Sequence, residues 1–277
     1  MSFPSKDNIA AVINARGGSK RLVRKNMQLV GGIPLLEHNL IAATQAEHIS
    51  SVFFCSEDEE MKDLARSYNV HIIDRPWQIS DDTATGTAVY LYSMSEACKF
   101  GDFNYVATLY PSSPLVSAFD IDDCIEQFRK NPFALSTGCV MLVEKPGSYF
   151  NHVLLKDERG MIVSLWGPQN TTPIPPAVAQ LILYKSGGGF SISQVNHIRK
   201  AKLKRPTPKM SMDEVNAYYQ ANNDLTFDEK LPSNMASTMA YITNEITCTD
   251  VNKPKDLIVA RALYEFRQKE YETVGGD

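Results

Sequence analysis

Arg16, Lys20, Arg21, Arg24 and Lys25 place five positive charges within ten residues, around the pair Gly17-Gly18 and the hydroxyl of Ser19. Such a cluster suits a polyphosphate. Two glycines let the backbone turn sharply and bring N–H groups to a ligand without Cβ obstruction, while the side chains supply fixed positive charge. Neither GxxxxGK[ST] nor GxGxxG fits the string, which sets aside the kinase-type P-loop and the dinucleotide fingerprint. On charge alone the stretch reads equally as a solvated turn with surface cations.

The elements that position this loop follow an alternating order. An apolar, partly β-branched run over 8–13 predicts a buried strand of a mostly parallel sheet, delivering the chain straight into the loop. Helical spacing over 34–43, a strand over 51–55, a helix from the capping-box-like Ser56-Glu57-Asp58-Glu59 to Tyr68 and a strand over 70–73 follow. The polar segment 80–87 leads into a helix over about 88–98, its hydroxyls reading first as helix caps. Residues 105–109 predict a further strand, and Pro111 and Pro114 force a shaped loop at its end. Ser117 and Asp120 carry capping-box spacing for a helix over 117–131, before a strand over 133–143. This is an α/β pattern with the Arg16 and Pro111 loops on one sheet edge, where open α/β sheets bind ligands.

From about Glu144 the rhythm breaks into short pieces, which predicts an excursion from the core. The basic run 197–205 reads by default as a solvated segment, with phosphate or acidic-substrate contact as the sharper alternative. Residues 211–237 predict an irregular insertion without assigned function. The core resumes at 238–242, and a last helix is expected from Lys253 to about Arg267.

The chain has 277 residues, 43% apolar and 22% charged, long enough for one large α/β domain. A net charge of −4 argues against nucleic-acid binding through overall charge, and no apolar run has membrane-spanning length. Five widely spaced cysteines without CxxC read as reduced core thiols of a cytoplasmic protein, and scattered histidines give a zinc site little support.

The string Ala15-Arg16-Gly17-Gly18-Ser19-Lys20, then Arg24-Lys25-Asn26 and Gly31-Gly32-Ile33-Pro34-Leu35, closely resembles the signature of cytidylyltransferases that make CMP-activated sialic acids and related acidic sugars. The resemblance implies a single domain over 1–277 with a Rossmann-like, mostly parallel sheet of the nucleotidyltransferase (GT-A-like) type. It implies a small dimerisation element, placed at 145–195, and hence a homodimer. The implied reaction is transfer of CMP from CTP to a hydroxyl of an acidic acceptor, with release of pyrophosphate. Arg16 and Lys25 are the expected catalytic cations. Ala15, Gly17, Gly18, Ser19, Lys20, Asn26, Arg75, Asp82 and Thr85 are expected to join them in binding nucleotide. Tyr110, Ser112 and Ser113 are expected at the acceptor, and Asp250 with Asn252 at Mg²⁺.

The chain also departs from the family. Tyr110 and Val116 stand where similar enzymes carry Gln and Arg, and Asn252 stands in place of a second Asp. Between Arg159 and Arg199 there is no arginine to meet an acceptor carboxylate, and 169–172 occupies that approximate place. These changes imply a rebuilt acceptor pocket for an unusual nonulosonic acid, another hydroxylated acid or a phosphonate. Asn252 is assigned mainly to capping the last helix. Two alternatives stand beside this reading: a weakly catalytic nucleotide-binding homologue with a regulatory or assembly role, and a GT-A-like glycosyltransferase, for which no Asp-x-Asp motif is visible.

Overall fold

The computed structural model describes residues 8–81, 84, 86–131, 134, 136–142, 153–156, 162–164, 184–186, 188–195 and 238–274. Asp82, Thr85, residues 169–172, the basic run 197–205 and segment 211–237 lie outside them.

The strand β1 (Ile9–Asn14) is buried on both faces and pairs in parallel with β4 (Ser51–Ser56) and β6 (Tyr105–Leu109). β5 (His71–Asp74) extends the parallel set beyond β4. On the other side, β11 (Phe190–Gln194) runs antiparallel between β6 and β7 (Ser136–Leu142), and β12 (Thr238–Ile242) pairs with β7 in parallel. β10 (Tyr184–Ser186), β8 (Val153–Lys156) and β9 (Ile162–Ser164) continue the sheet by antiparallel pairing. Seven of the ten strands point one way, so the expected α/β, mostly parallel sheet is the observed architecture. A separate hairpin, β2 (Leu29–Val30) and β3 (Ile33–Pro34), turns through Gly31 and Gly32 at positive φ.

Strand alternation divides the core. Ile9, Ala11 and Ile13 of β1 pack with α1 (Leu35–Gln45), α2 (Glu59–Arg66) and α4 (Ala118–Lys130), whereas Ala10 and Val12 meet α3 (Gly86–Ala97). A third cluster joins Val30, Leu35 and Leu115 to Val251, Leu257 and Ala260, docking α5 (Pro254–Val274) on the hairpin. There a Cβ on Gly31 would overlap the Tyr264 ring.

Two details of the local reading change. The α2 cap is Asp58, which accepts from the Met61 N–H, so the helix starts at Glu59 rather than at Ser56, whose hydroxyl accepts from Asp58 instead. α5 runs on to Val274, seven residues past the expected Arg267. At α4 the reciprocal capping box of Ser117 and Asp120 forms as expected.

Candidate functional site

At the carboxyl ends of β1 and β6 the sheet opens into a cavity of about 730 Å³. Arg16, Lys20, Arg21 and Lys25 line it, and so do Asn26, Arg75, Tyr110, Ser112 and Asn252. The basic loop therefore places four of its five cations on one space. Arg24 faces away: it takes positive φ and donates to Asp58, at 2.5 Å, and to Glu60 at the α2 N-terminus.

The loop is held by polar contacts within its own sequence and to the segment entering α2. Buried Asn26 donates to the Arg16 carbonyl at 3.0 Å, fixing the chain reversal between them. The Gly17 N–H donates to Glu57 Oε1 at 2.8 Å and the Ser19 N–H to the Gly17 carbonyl at 3.0 Å. Those two amides are thus engaged within the protein, against the expectation that they cradle a ligand. Gly17 is needed for another reason, since a Cβ would stand 2.5 Å from Asp58 Oδ2. Ala15, expected to join in nucleotide binding, is buried in the main core and its N–H donates to the Cys55 carbonyl at 3.1 Å.

Arg75 is 8% exposed, and its Nε donates to the Ile79 carbonyl at 2.8 Å, as Nη2 also does. Burial lowers its pKa from the ordinary arginine value, opposed by the Glu57 carboxylate. A guanidinium so placed stays charged and fixed at the cavity wall.

Across the cavity, Lys25 Nζ donates to Asn252 Oδ1 at 3.4 Å, and Asn252 Nδ2 donates to Asp250 Oδ2 at 2.5 Å. The helix-cap assignment for Asn252 is overturned: the Asp256 carboxylate reaches back and accepts from the N–H groups of Asn252 and Lys253 at 3.0 and 2.8 Å. Burial holds the Lys25 ammonium below the usual lysine range, partly offset by attraction to Asp250. As a Mg²⁺ site, Asp250 supplies one carboxylate, joined through Asn252 to the cation-lined cavity. Among the described residues no three His, Cys, Asp or Glu side chains form a cage. That donor set fits Mg²⁺, which is commonly held by one or two carboxylates with phosphates and water.

Of the expected acceptor residues, Tyr110 and Ser112 line the cavity, whereas Ser113 does not. Ser113 is fully buried, its Oγ accepts from the Gly189 N–H at 2.7 Å and its carbonyl accepts from Asn39 at 3.0 Å. It pins the Pro111 loop to the start of β11, a structural task invisible in sequence. Residues missed by sequence reading line the same cavity: Asn14, Tyr90, Thr108, Ser136, Ser191 and Ser193. The alternation Phe190-Ser191-Ile192-Ser193 was the available signal, since it puts hydroxyls on one face of an otherwise apolar strand.

None of the five cysteines forms a disulfide, and burial pushes Cys55 and Cys124 up to about 12. They are core thiols rather than nucleophiles. Among the described residues no helix is long and apolar enough to cross a membrane.

Residues 10–160 match the cytidylyltransferase family. The CMP-N,N'-diacetyllegionaminic acid synthase of Legionella pneumophila is 33% identical over 123 residues, covering 43% of this chain and 52% of that protein. The pseudaminic acid cytidylyltransferase of Campylobacter jejuni is 32% identical over 122 residues, covering 43% and 53%. The chain spans about half the length of these curated relatives. A CMP:2-keto-3-deoxy-manno-octonic acid synthetase complexed with CTP has the same fold, with TM-score 0.68, 17% identity, and coverage of 94% of this chain and 100% of that one. The 4-diphosphocytidyl-2C-methyl-D-erythritol synthase of Anaerococcus prevotii shares it at TM-score 0.53 and 15% identity, with coverage of 94% and 96%. The sequence match spans the basic loop, β1, β4 and β6, more than half of the chain, and the chain belongs to the cytidylyltransferase family.

Proposed function

We propose that the chain transfers CMP from CTP to a hydroxyl of an acidic sugar of the nonulosonic or octulosonic kind, releasing pyrophosphate. The observation that carries this reading is the convergence of Arg16, Lys20, Arg21 and Lys25 on one cavity at the carboxyl ends of parallel strands. The names of the relatives support the acceptor class.

In the reaction the acceptor hydroxyl oxygen bonds to the α-phosphorus of CTP, the bond to the β-phosphate bridge oxygen breaks, and the hydroxyl proton is lost. Negative charge grows on the phosphate oxygens. Arg16 and Lys25, fixed in the loop before the ligand arrives, meet that charge without reorganising. Arg16 is held by the Asn26 contact to its carbonyl, and by its own Nη1, which donates to the Asp81 carbonyl at 3.2 Å. Lys20 and Arg21 are assigned to the outer phosphates, and Arg75, Asp82 and Thr85 to the nucleoside. A Mg²⁺ held by Asp250 and phosphate oxygens would neutralise further charge on the triphosphate. Asn252, its oxygen accepting from Lys25, is assigned to positioning Asp250 and Lys25 relative to each other.

The 145–195 segment is read as a dimerisation element, with β8, β9 and β10 extending the sheet at its edge. Sedimentation at micromolar concentration tests it, and a monomer there counts against the dimer. Five cysteines without a disulfide suit a reducing cytoplasm.

Pyrophosphate release from CTP and Mg²⁺ with sialic, legionaminic, pseudaminic and Kdo-type acceptors tests the function, with calorimetric CTP binding alongside. Wild type and Lys25→Ala binding CTP equally well would remove the basis of the proposal. A second reading, a weakly catalytic nucleotide binder, is favoured by one contact: the Asn252 amide donates to the single candidate metal carboxylate. Under that reading Asn252→Asp raises Mg²⁺-dependent turnover about tenfold or more, because a second carboxylate replaces an amide donor. No gain in turnover would reject it.

A further inference from the structure

The uncharged part of the cavity lining has a chemistry of its own. On the sheet face covered by α3, β1 and β6 begin apolar with Ala10, Val12 and Val106. Two residues further along the same face stand Asn14 and Thr108, where the strands pass into the cavity. Ser191 lies opposite Thr108 in the β6 pairing and Ser193 opposite both Val106 and Ser136, so hydroxyls continue across β11 to β7. Tyr90 of α3 borders the same space. None of these six side chains is charged.

Three of them lack partners among the described residues. Asn14 Oδ1, Tyr90 Oη and Thr108 Oγ1 are buried and meet no hydrogen-bond partner there, and Thr108 is 2% exposed. Burial pushes the Tyr90 hydroxyl up to about 12, with the Ser193 and Thr108 hydroxyls pulling the other way without reaching hydrogen-bond geometry. A buried polar group left unpaired is destabilising, so three side by side on a cavity wall are costly unless a ligand completes them.

Resting on the cytidylyltransferase reading, we propose that this wall is the specificity surface for the neutral, hydroxyl- and acylamino-bearing part of the acceptor, with Asn14, Tyr90 and Thr108 as its hydrogen-bonding residues. The division of the cavity is then chemical: anionic groups meet the cationic loop, and the uncharged body of the sugar meets the hydroxyl wall. A site built to hydrogen-bond substrate hydroxyls rejects analogues that lack them, because its own polar groups are then left unpaired. This wall therefore selects among acidic sugars by their hydroxyl and acylamino pattern rather than by their charge.

The test uses the full chain and two probes, N-acetylmannosamine as a neutral acylamino polyol and CTP. Saturation-transfer NMR follows the sugar, alone and with saturating CTP, and calorimetry follows CTP. Wild type is expected to bind the sugar. Thr108→Val and Tyr90→Phe, each removing only a hydroxyl function, are expected to weaken it about fivefold or more while CTP affinity stays within about twofold. Thermal unfolding confirms that both variants are folded, and an unpaired hydroxyl lost from the interior leaves the midpoint unchanged or raised. The proposal is overturned if wild type does not take the sugar in either condition, if both variants bind it as wild type does, or if they lose CTP instead. Failure of wild type to bind CTP counts against the proposed function alone, since the sugar arm still decides what the wall recognises.

Discussion

The two walls of the cavity are made in opposite ways. Apart from Arg75, the cationic wall comes from one continuous stretch, residues 16–26, and is tied together in part by short-range contacts such as Asn26 to the Arg16 carbonyl. The hydroxyl wall takes its residues from β1, α3, β6, β7 and β11, which are up to 179 residues apart between Asn14 and Ser193. The first is preorganised by local chain geometry. The second exists only once the sheet is assembled. Charge can be collected locally because cations on a loop keep most of their solvation, Lys25 least, whereas buried neutral polar groups need the surrounding core to hold them.

Four changes bear on this contrast. Lys25→Ala should have the largest effect, lowering kcat/KM for CTP about 100- to 1,000-fold in pyrophosphate release, the loss typical of one preorganised charge-stabilising donor. Asn26→Ala tests whether local ties make the cationic wall. It removes the donor to the Arg16 carbonyl and should cost about 1–3 kcal/mol in denaturant unfolding, with weakened CTP binding in calorimetry. Unaltered CTP affinity in that variant would show that the loop needs no such tie.

The pH dependence should follow Lys25. Burial favours its neutral form in the folded protein, so it releases its proton below the ordinary value of 10.5. The folded chain then binds that proton less well than the unfolded chain, and the associated destabilisation fades as pH rises towards 10.5. CTP affinity of the free protein should fall on the alkaline side below that value, and Lys25→Arg should move the fall upward. An alkaline limb unmoved by Lys25→Arg would assign it to another group. The smallest effect is expected from Arg24→Ala, with CTP affinity within about twofold of wild type, because Arg24 is engaged with Asp58 and Glu60 on the far side of the loop. A large loss there would mean that the loop turns over when nucleotide binds.

Much of the fold was legible because alternation and helical spacing report burial directly. The continuous apolar run of β1 announced a strand covered on both faces, and Ser117 with Asp120 announced the start of α4. The surroundings of Ser113, Asn252 and Ala15 were not legible for a common reason: residue type and position in a motif do not say which way a side chain points or which N–H is already engaged. Ser113 turned inward to Gly189, Asn252 turned from its helix towards Lys25 and Asp250, and Ala15 joined the core. The departures Tyr110 and Asn252 were nonetheless visible in sequence, and both line the cavity.

By itself the sequence determined the α/β order, the basic loop and the position of that loop at the end of a buried strand, because periodicity and charge density are local properties of a chain. Only the tertiary structure decided which four of five cations share one space, which amides are engaged, and that hydroxyls from four separate elements and an amide from a fifth form a single wall. Those depend on sheet order and register, and a chain cannot disclose who its neighbours will be until non-local pairing has placed them.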